Sequence, residues 1–337
     1  MQSVKAFINS FGAFSPWLLL GLFIVSTLLL IWRLEHMTET GVEGTVLGTL
    51  VMPYCSGIGN LIFVFVVFSN GQPAAEVMTN CLVNNVTNMT LLIGLPAMIW
   101  GMNVIPKSNG KTKKKKKNDK REQEHRLNRL SLLLTLTAVL FFTGAVWALG
   151  RDGQLNRGDG LVLVGLFIFW QCFHVFEVLK SNVRQNKSLN WMLAADFGLL
   201  LIGAYGTYVS IDGLVTWISN IHTGFISAKY LGWLSGWLMV VPNGLLALYY
   251  GWKGHPEVVY TSQVGDGHIC IPLCVGLYAV IKDTMPVPLF FELGILILMA
   301  ATLVHLLFVT VFGQLPRFMG WVLTAAYGFF LYKGLAS

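Results

Sequence analysis

The stretch "VGDGHICIPLCVGLYA", residues 264–279, is apolar enough to cross a bilayer, yet it contains Asp266 and His268. An earlier stretch, "VNNVTNMTLLIGLPA" at residues 83–97, ends with the same Leu-x-x-Gly-Leu-x-Ala pattern. Aligning the glycines of this pattern, at positions 276 and 94, gives an offset of 276 − 94 = 182. Either two apolar helices match by chance, or the chain contains a duplicated segment whose polar positions were kept.

The similarity extends upstream of these stretches. The segment "NLIFVFVVFSNGQP" at residues 60–73 lies against "NGLLALYYGWKGHP" at residues 243–256, with an offset of 243 − 60 = 183. Both segments end in a Gly-x-Pro turn, after which one position is lost and the offset of 182 holds. Two matching turns and two matching helix ends favour a duplication over chance.

The composition indicates a helical membrane protein. The chain has 337 residues, of which 55% are hydrophobic and 12% are charged, whereas charged residues make up about 25% of soluble domains. Apolar runs recur along the chain, each long enough to cross the hydrocarbon core as a helix of about 20 residues. We therefore predict an all-α polytopic fold with ten transmembrane helices, near residues 16–33, 45–69, 77–103, 130–149, 159–180, 190–210, 231–252, 259–281, 287–311 and 316–334. The segment 211–230 is predicted to be a surface loop with a short amphipathic helix.

A basic segment accounts for the positive charge of the chain. Residues 107–129 hold 11 of the 23 Lys and Arg residues but 3 of the 16 acidic ones. The positive-inside rule predicts that residues 104–129 form a cytoplasmic loop, which puts both termini outside. Binding of anionic lipid by this loop is compatible with its charge. Nucleic acid is not an expected partner, because no aromatic or motif framework accompanies the lysines.

The ten predicted spans divide into two halves, residues 1–188 and 189–337. Each half has five spans, an odd number, so the second copy must enter the membrane upside down. This inverted-topology repeat is typical of secondary transporters, in which a binding site lies near the bilayer midplane. The chain is therefore expected in the plasma membrane, which in bacteria is the inner membrane.

Polar residues recur at helical spacing in both copies. At four-residue intervals, which keep side chains on one helix face, the two stripes contain Asn80, Asn84 and Asn88, and Ser262, Asp266 and Cys270. Asn60 and Asn243 add an amide from each preceding helix. Such groups are costly at membrane depth, and amide and carboxylate oxygens suit a hard cation, although asparagines can also join helices. The predicted cation ligands are Asn60, Asn84, Asn88, Asn243, Asp266 and Cys270.

These motifs resemble the cation/calcium exchanger superfamily, which includes sodium/calcium and calcium/proton exchangers. Its members have ten helices and two inverted repeats, each with a Gly-Thr-Ser-Leu-Pro-Glu-like and a Gly-Asn-x-x-Gly-Ser-Asn-x-x-Asn-like motif. The segment "TNCLVNNVTN" at 79–88 is similar to the second motif at Asn80, Asn85 and Asn88. In "TSQVGDGHIC" at 261–270, Gly265 matches, while Asp266 and Cys270 stand in the Ser and Asn places.

The first family motif is also only partly matched. Pro242-Asn243 stands where Pro-Glu is expected, and its counterpart is either Gly59-Asn60 or Pro53-Tyr54. The paired acidic residues that hold calcium in the family are thus replaced, and Asp266 is the one acid left at the core of the repeats. One carboxylate compensates a divalent ion poorly at low dielectric.

The resemblance implies a secondary active cation antiporter driven by sodium or protons, and the replaced acids imply that its selectivity differs from calcium. The substrate would be a monovalent cation, a softer metal that engages Cys270 and His268, or another solute. The alternative is a degenerate homologue that acts as a binding, sensory or scaffold membrane protein. No cofactor is expected, and no catalytic motif indicates an enzyme.

Secondary candidates for the site are Asn80, Asn85, Ser262, His268 and Asp196. Asp196 is a lone acid in the sixth span, which marks either a functional residue or the partner of an ion pair. His268 stands two residues from Asp266, and the helical spacing therefore points it away from the stripe, toward a neighbouring helix.

Overall fold

In the computed structural model, the described parts of the chain are residues 10–39, 57–104, 115–182 and 191–336. They are almost entirely helical. The helices are α1 (Ser15–Glu39), α2 (Ile58–Ser69), α3 (Ala75–Val86), α4 (Ile93–Trp100), α5 (Lys115–Leu149), α6 (Arg157–Asn182), α7 (Trp191–Ser219), α8 (Leu231–Lys253), α9 (Pro256–Ile269), α10 (Gly276–Lys282), α11 (Phe291–Leu307) and α12 (Arg317–Ala336). Two strands, β1 (Gln154–Asn156) and β2 (Thr284–Pro286), pair antiparallel.

Within the described ranges, seven helical segments are long and apolar enough to cross a membrane. They are Gly12–Arg33, Ala75–Trp100, Leu132–Asp152, Ala195–Ser219, Ala228–Lys253, Val258–Lys282 and Phe291–Phe312. Large apolar side chains on these helices are exposed, among them Trp17, Trp252 and Leu296 at 70%, 65% and 66%. Such exposure suits lipid contact, and the protein is an integral, multi-pass membrane protein.

Two segments that were predicted as loops are partly helical. Residues 211–219 were predicted to lie in a surface loop, but α7 continues through them to Ser219. Within this helix, the Asp212 carboxylate accepts a hydrogen bond from Asn70 Nδ2 at 3.1 Å. The predicted cytoplasmic loop 104–129 is helical from Lys115 onward, since Lys, Arg, Glu and Gln are good helix formers. Residues 105–114, like the start of the predicted second span at 45–56, lie outside the described residues.

The described chain forms two compact units that each combine several segments. Unit 1 contains the described parts of 1–83, 150–242 and 269–288, and unit 2 contains those of 84–149, 243–268 and 289–337. In unit 1, α1 packs along α7, where Gly203 and Gly213 leave room for Leu30 and Leu19. Small residues at such contacts let membrane helices approach closely.

A glycine contact of the same kind occurs in each unit. In unit 2, a Cβ added to Gly320 of α12 would lie 2.6 Å from the Gly94 carbonyl oxygen of α4. In unit 1, a Cβ added to Gly160 of α6 would lie 2.7 Å from the Gly276 carbonyl oxygen of α10. Gly94 and Gly276 are the two glycines aligned by the offset of 182. At both positions the backbone packs closely against a glycine of a neighbouring helix.

The strand contacts correspond in the same way. In unit 1, Leu155 of β1 pairs with Met285 of β2. In unit 2, an isolated antiparallel bridge joins Met102 to Leu315. The corresponding positions are related by offsets of 285 − 102 = 183 and 315 − 155 = 160. The second offset is shorter because the segment 103–154, which includes the basic segment, is longer than the segment 286–314.

The long helices are interrupted by π-helical segments. Thr87–Leu92 separates α3 from α4, Cys270–Val275 separates α9 from α10, and Phe308–Phe312 follows α11. The starts of the first two are related by an offset of 270 − 87 = 183. A π-helical turn inserts an extra residue, shifts the backbone hydrogen bonds, and is frequent at functional sites. The two aligned stretches of sequence therefore contain the same rare backbone feature.

Candidate functional site

The predicted polar stripe lies on the helix that begins at Ala75. Asn80, Asn84 and Asn88 are buried, with 1%, 0% and 0% of their surface exposed. Asn88 Nδ2 donates a hydrogen bond to Asn84 Oδ1 at 2.9 Å, which the four-residue spacing allows. Asn80 belongs to unit 1, whereas Asn84 and Asn88 belong to unit 2.

In unit 1 the stripe contacts the start of α8. Asn80 Nδ2 donates to Ser235 Oγ at 3.0 Å, and Ser235 Oγ donates to the Gly232 carbonyl at 3.1 Å. The Gly232 N–H donates to the Glu76 carboxylate at 2.5 Å. Gly232 and Gly236, four residues apart, bring the backbone of α8 against α3 at this level. Glu76 precedes Asn80 by four residues, so the stripe begins one helical turn earlier than predicted.

In unit 2, Gln263 of α9 contacts α8. Gln263 Nε2 donates to the Asn243 carbonyl at 3.2 Å and to Ser262 Oγ at 3.0 Å. Gln263 is 1% exposed and was not predicted as a site residue. Its offset from Asn80 is 263 − 80 = 183, which is the offset of the π-helices rather than the 182 used for the predicted stripe. Keeping the upstream offset of 183 through the Gly-x-Pro turn would have identified it.

Asn80 Oδ1 in unit 1 and Gln263 Oε1 in unit 2 are buried amide oxygens that have no hydrogen-bond partner within the described residues. An unpaired buried polar atom typically costs about 1–3 kcal/mol. In each case the nitrogen of the same amide is bonded, so only the acceptor is left over. Free acceptors at two positions related by the offset of 183 suit a ligand that needs oxygen donors.

The remaining predicted ligands are placed as follows. Asn60 in α2 is buried, Asn243 in α8 is half-buried, and Asn85 in α3 is buried. Asp266 lies in α9, but its side chain is outside the described residues. Cys270, the first residue of the second π-helix, is buried in unit 1. In the described parts of the chain, no three or more His, Cys, Asp or Glu side chains are arranged to hold a metal ion.

His268 faces the neighbouring helix α5. Its Nε2 lies 3.1 Å from the Thr135 carbonyl, and its ring packs edge-on against Phe142 at 6.0 Å. Because a carbonyl only accepts, this Nε2 carries the proton. The described contacts of His268 are thus those of a residue that joins α9 to α5.

Asp196 forms an ion pair in unit 1. Its carboxylate lies 3.1 Å from Arg33 Nη1 and 3.3 Å from His36 Nδ1 on α1. The Arg33 guanidinium also stacks on the Trp32 ring, 3.4 Å from its centroid. Of the two roles left open by the sequence, the ion pair is the one present, and it balances an acid on α7 with a cation on α1.

A second buried network, not found from the sequence, supports the first π-helix. His305 Nε2 lies 2.8 Å from the Met89 carbonyl, and His305 Nδ1 lies 3.1 Å from the Tyr260 hydroxyl. Since the carbonyl must accept, Nε2 carries the proton and the Tyr260 hydroxyl donates to Nδ1. Tyr327 contacts Thr87 in the same segment, with 3.3 Å between the hydroxyl oxygens. The sequence signal that could have predicted this network is the presence of isolated polar residues, such as His305, in apolar helices.

Comparison with protein families gives one match over most of the chain. The family model "Sodium/calcium exchanger protein" matches residues 14–176 and 195–333. A weaker similarity is to the riboflavin transporter RibZ of Clostridioides difficile (strain 630), at 23% identity over 139 residues. That match covers 39% of this chain and only 30% of the length of the transporter.

Solved structures resemble this chain along nearly its whole length. The sodium/calcium exchanger from Methanococcus jannaschii has a TM-score of 0.59 and 18% identity, covering 92% of this chain and 94% of its own. A structure of a sodium-calcium exchanger soaked with 2.5 mM Na+ and 1 mM Sr2+ has a TM-score of 0.63 and 17% identity, with 96% of each chain covered. At these identities the likeness shows a shared fold.

Proposed function

The chain belongs to the sodium/calcium exchanger family, and we propose that it is a secondary active cation antiporter, driven by sodium or protons, whose selectivity differs from calcium. Members of the family are membrane transporters and not enzymes. The observation that carries the proposal is the buried polar stripe on α3 and the π-helical segment that follows it. The stripe is lined by amides, two of which hydrogen-bond to each other, whereas a divalent cation would need several carboxylates.

Charge is the physical reason for the altered selectivity. Moving a divalent ion out of water costs far more than moving a monovalent one, and protein carboxylates must offset that cost. The proposed ligands are Asn60, Asn84, Asn88, Asn243, Asp266 and Cys270. Asp266 supplies the one formal negative charge among them. The set therefore suits a monovalent cation better than calcium.

The proposed architecture has ten spans in two inverted five-helix halves, residues 1–188 and 189–337, with both termini outside. It is supported by the features that recur at corresponding positions: the π-helices, the glycine contacts of Gly94 and Gly276, and the two strand contacts. In a transporter of this kind, the two copies exchange roles as the substrate site alternates between the two sides. Cysteine-accessibility mapping of residues 107–129 and 180–188 tests it, because both must face the cytoplasm.

The second candidate function is a degenerate homologue that binds partners without transport. The replacement of the family's paired acids favours it, and the basic segment 104–129 would then dock anionic lipid or partner proteins. Such a homologue would show no flux of any solute across the membrane, whereas an antiporter would.

Transport by purified protein in liposomes tests both candidates. The panel contains sodium, lithium, potassium, calcium and riboflavin, under imposed sodium and proton gradients, with Asp266→Asn as the matched variant. We expect flux of a monovalent cation that Asp266→Asn abolishes or uncouples from the driving ion, because the main negative charge is lost. His268→Ala, on another helix face, should reduce flux much less. Flux unchanged in Asp266→Asn would refute the site, and no flux with any solute would favour the scaffold.

A further inference from the structure

We propose that Glu76, Asn80 and Ser235 form a second cation-binding site, for a monovalent cation, at the end of the polar stripe where α3 begins. The inference deepens the proposed function and rests on it, since the bound cation would be one that the transporter carries. All three residues belong to unit 1. Glu76 and Asn80 lie one turn apart on α3, and Ser235 lies on α8.

The first argument is the charge of Glu76. It is the second residue of a segment apolar enough to cross the membrane and is half-buried, so an uncompensated carboxylate there loses part of its hydration. Among the described residues, no Lys, Arg or His pairs with it, and its hydrogen bond comes from the neutral Gly232 N–H. One hydrogen bond from a backbone amide leaves most of the acceptor capacity of a carboxylate unused. A bound cation would neutralise the charge and use that capacity.

The second argument is the free amide oxygen of Asn80. Asn80 is 1% exposed, and its Oδ1 has no partner in the described parts of the chain. The amide is held in place by its nitrogen, which donates to Ser235 Oγ. This bond is enough to join the two helices, but it leaves the oxygen of the same amide buried and unpaired. A cation that takes this oxygen as a ligand removes that cost.

The third argument is the arrangement of the donors around Gly232. The Gly232 N–H donates to Glu76, and the Gly232 carbonyl accepts from Ser235. This links the carboxylate, the hydroxyl and the amide of Asn80 through one residue of α8. Ser235 Oγ donates once and accepts once in this network, so one of its two lone pairs is left. Carboxylate, amide and hydroxyl oxygens are hard ligands, and water would complete the shell.

Burial increases along the stripe from the turn before α3. Gly71, in the turn before α3, is exposed, Glu76 is half-buried, and the stripe from Asn80 onward is buried. A cation at Glu76 could therefore keep part of its hydration, whereas one further along would lose it. With a single carboxylate, the site balances one positive charge, which favours a monovalent cation over a divalent one.

Equilibrium binding of radioactive sodium to the purified full-length protein in detergent tests this site without requiring transport. The background is Asp266→Asn, in which the main charge of the proposed transport site is removed. We expect this variant still to bind sodium, and Glu76→Gln in the same background to weaken binding by about thirtyfold or more, since loss of a charged ligand is costly. Glutamine can still accept from Gly232, so the helix contact is retained.

Asn80→Asp is a variant that is expected to strengthen cation binding, whereas Glu76→Gln is expected to weaken it. A second carboxylate should tighten sodium binding and add measurable calcium binding, which misfolding cannot produce. Sodium binding that is unchanged by Glu76→Gln would overturn the proposal and leave Glu76 as a cap on α8. No binding of sodium, lithium or potassium by the Asp266→Asn variant would also overturn it. Failure of the proposed function would appear instead as absent flux, with Glu76-dependent binding intact.

Discussion

Asp196 and Glu76 are both acidic residues in apolar helices of unit 1, and the protein treats them differently. Asp196 on α7 has a cationic partner, Arg33, at 3.1 Å and a second contact to His36. Glu76 on α3 has a backbone N–H instead and no cationic partner among the described residues. The first carboxylate is neutralised within the protein, whereas the second needs a charge from solution. A buried acid is therefore informative about function only once its partners are known.

The largest expected effect on the free energy of unfolding comes from removing the cationic partner of Asp196. Arg33→Ala leaves the Asp196 carboxylate, which is 5% exposed, without its main counter-charge. We expect it to lower the free energy of unfolding by about 3–5 kcal/mol, the usual cost of breaking a buried pair. Thermal unfolding in detergent measures the change.

The matched control is the double variant Arg33→Ala/Asp196→Ala. It should be more stable than Arg33→Ala alone, because no unpaired charge remains. Equal stability of the two variants would mean that Arg33 acts through its packing on Trp32 and not through the carboxylate. Cation binding at Glu76 should be the same in all of them.

A smaller effect is expected when Glu76 is changed, because its charge is not part of a protein ion pair. Glu76→Gln should keep the hydrogen bond from Gly232 and, because it removes an unpaired charge, should raise the free energy of unfolding by about 1 kcal/mol in sodium-free buffer. Glu76→Ala removes the acceptor and should cost about 1 kcal/mol, a typical capping value. Chemical unfolding of both variants measures the difference. A large loss in Glu76→Gln would indicate an internal counter-charge and erase the contrast with Asp196.

The smallest effect is expected for the second partner of Asp196. His36 is more exposed than Arg33, at 29% against 13% for the side chains, and its contact is longer. Solvent screens such a pair, so His36→Ala should lower the free energy of unfolding by about 0.5 kcal/mol or less. Thermal unfolding beside Arg33→Ala measures it. A loss as large as that of Arg33→Ala would make the triad, rather than the pair, the stabilising unit.

Much of the helical architecture could be predicted, because hydropathy in a membrane protein reports helix length directly. The predicted spans near 159–180 and 231–252 agree closely with α6 and α8. The end of α7 was predicted wrongly, since the helix continues through Asp212 to Ser219. The Asp212 carboxylate accepts a hydrogen bond from Asn70, a residue far away in the chain, and local composition does not encode such a contact.

The candidate site was predicted in part. Four-residue spacing predicted Asn84 and Asn88 as neighbours, and their side chains are hydrogen-bonded. The same spacing also reaches Glu76, four residues before Asn80, which was not among the predicted site residues. Gln263 was missed for a different reason: the offset between the copies changes near the π-helices, and a one-residue shift exchanges which residues correspond. The ligand roles of Asp266 and Cys270 stay predictions.

By itself, the sequence determined that this chain lies in a membrane, where its apolar helices run, and which polar residues share a helix face. These properties are local, because they depend on composition and on the periodicity of the helix. Only the tertiary structure decided which of the buried polar groups are satisfied. Arg33 reaches Asp196 on a distant helix, while Glu76 meets the backbone of Gly232, which is equally remote in the chain. Charge compensation is a through-space interaction between distant segments, and the folded arrangement of helices determines whether an acid is paired within the protein or is available to a cation.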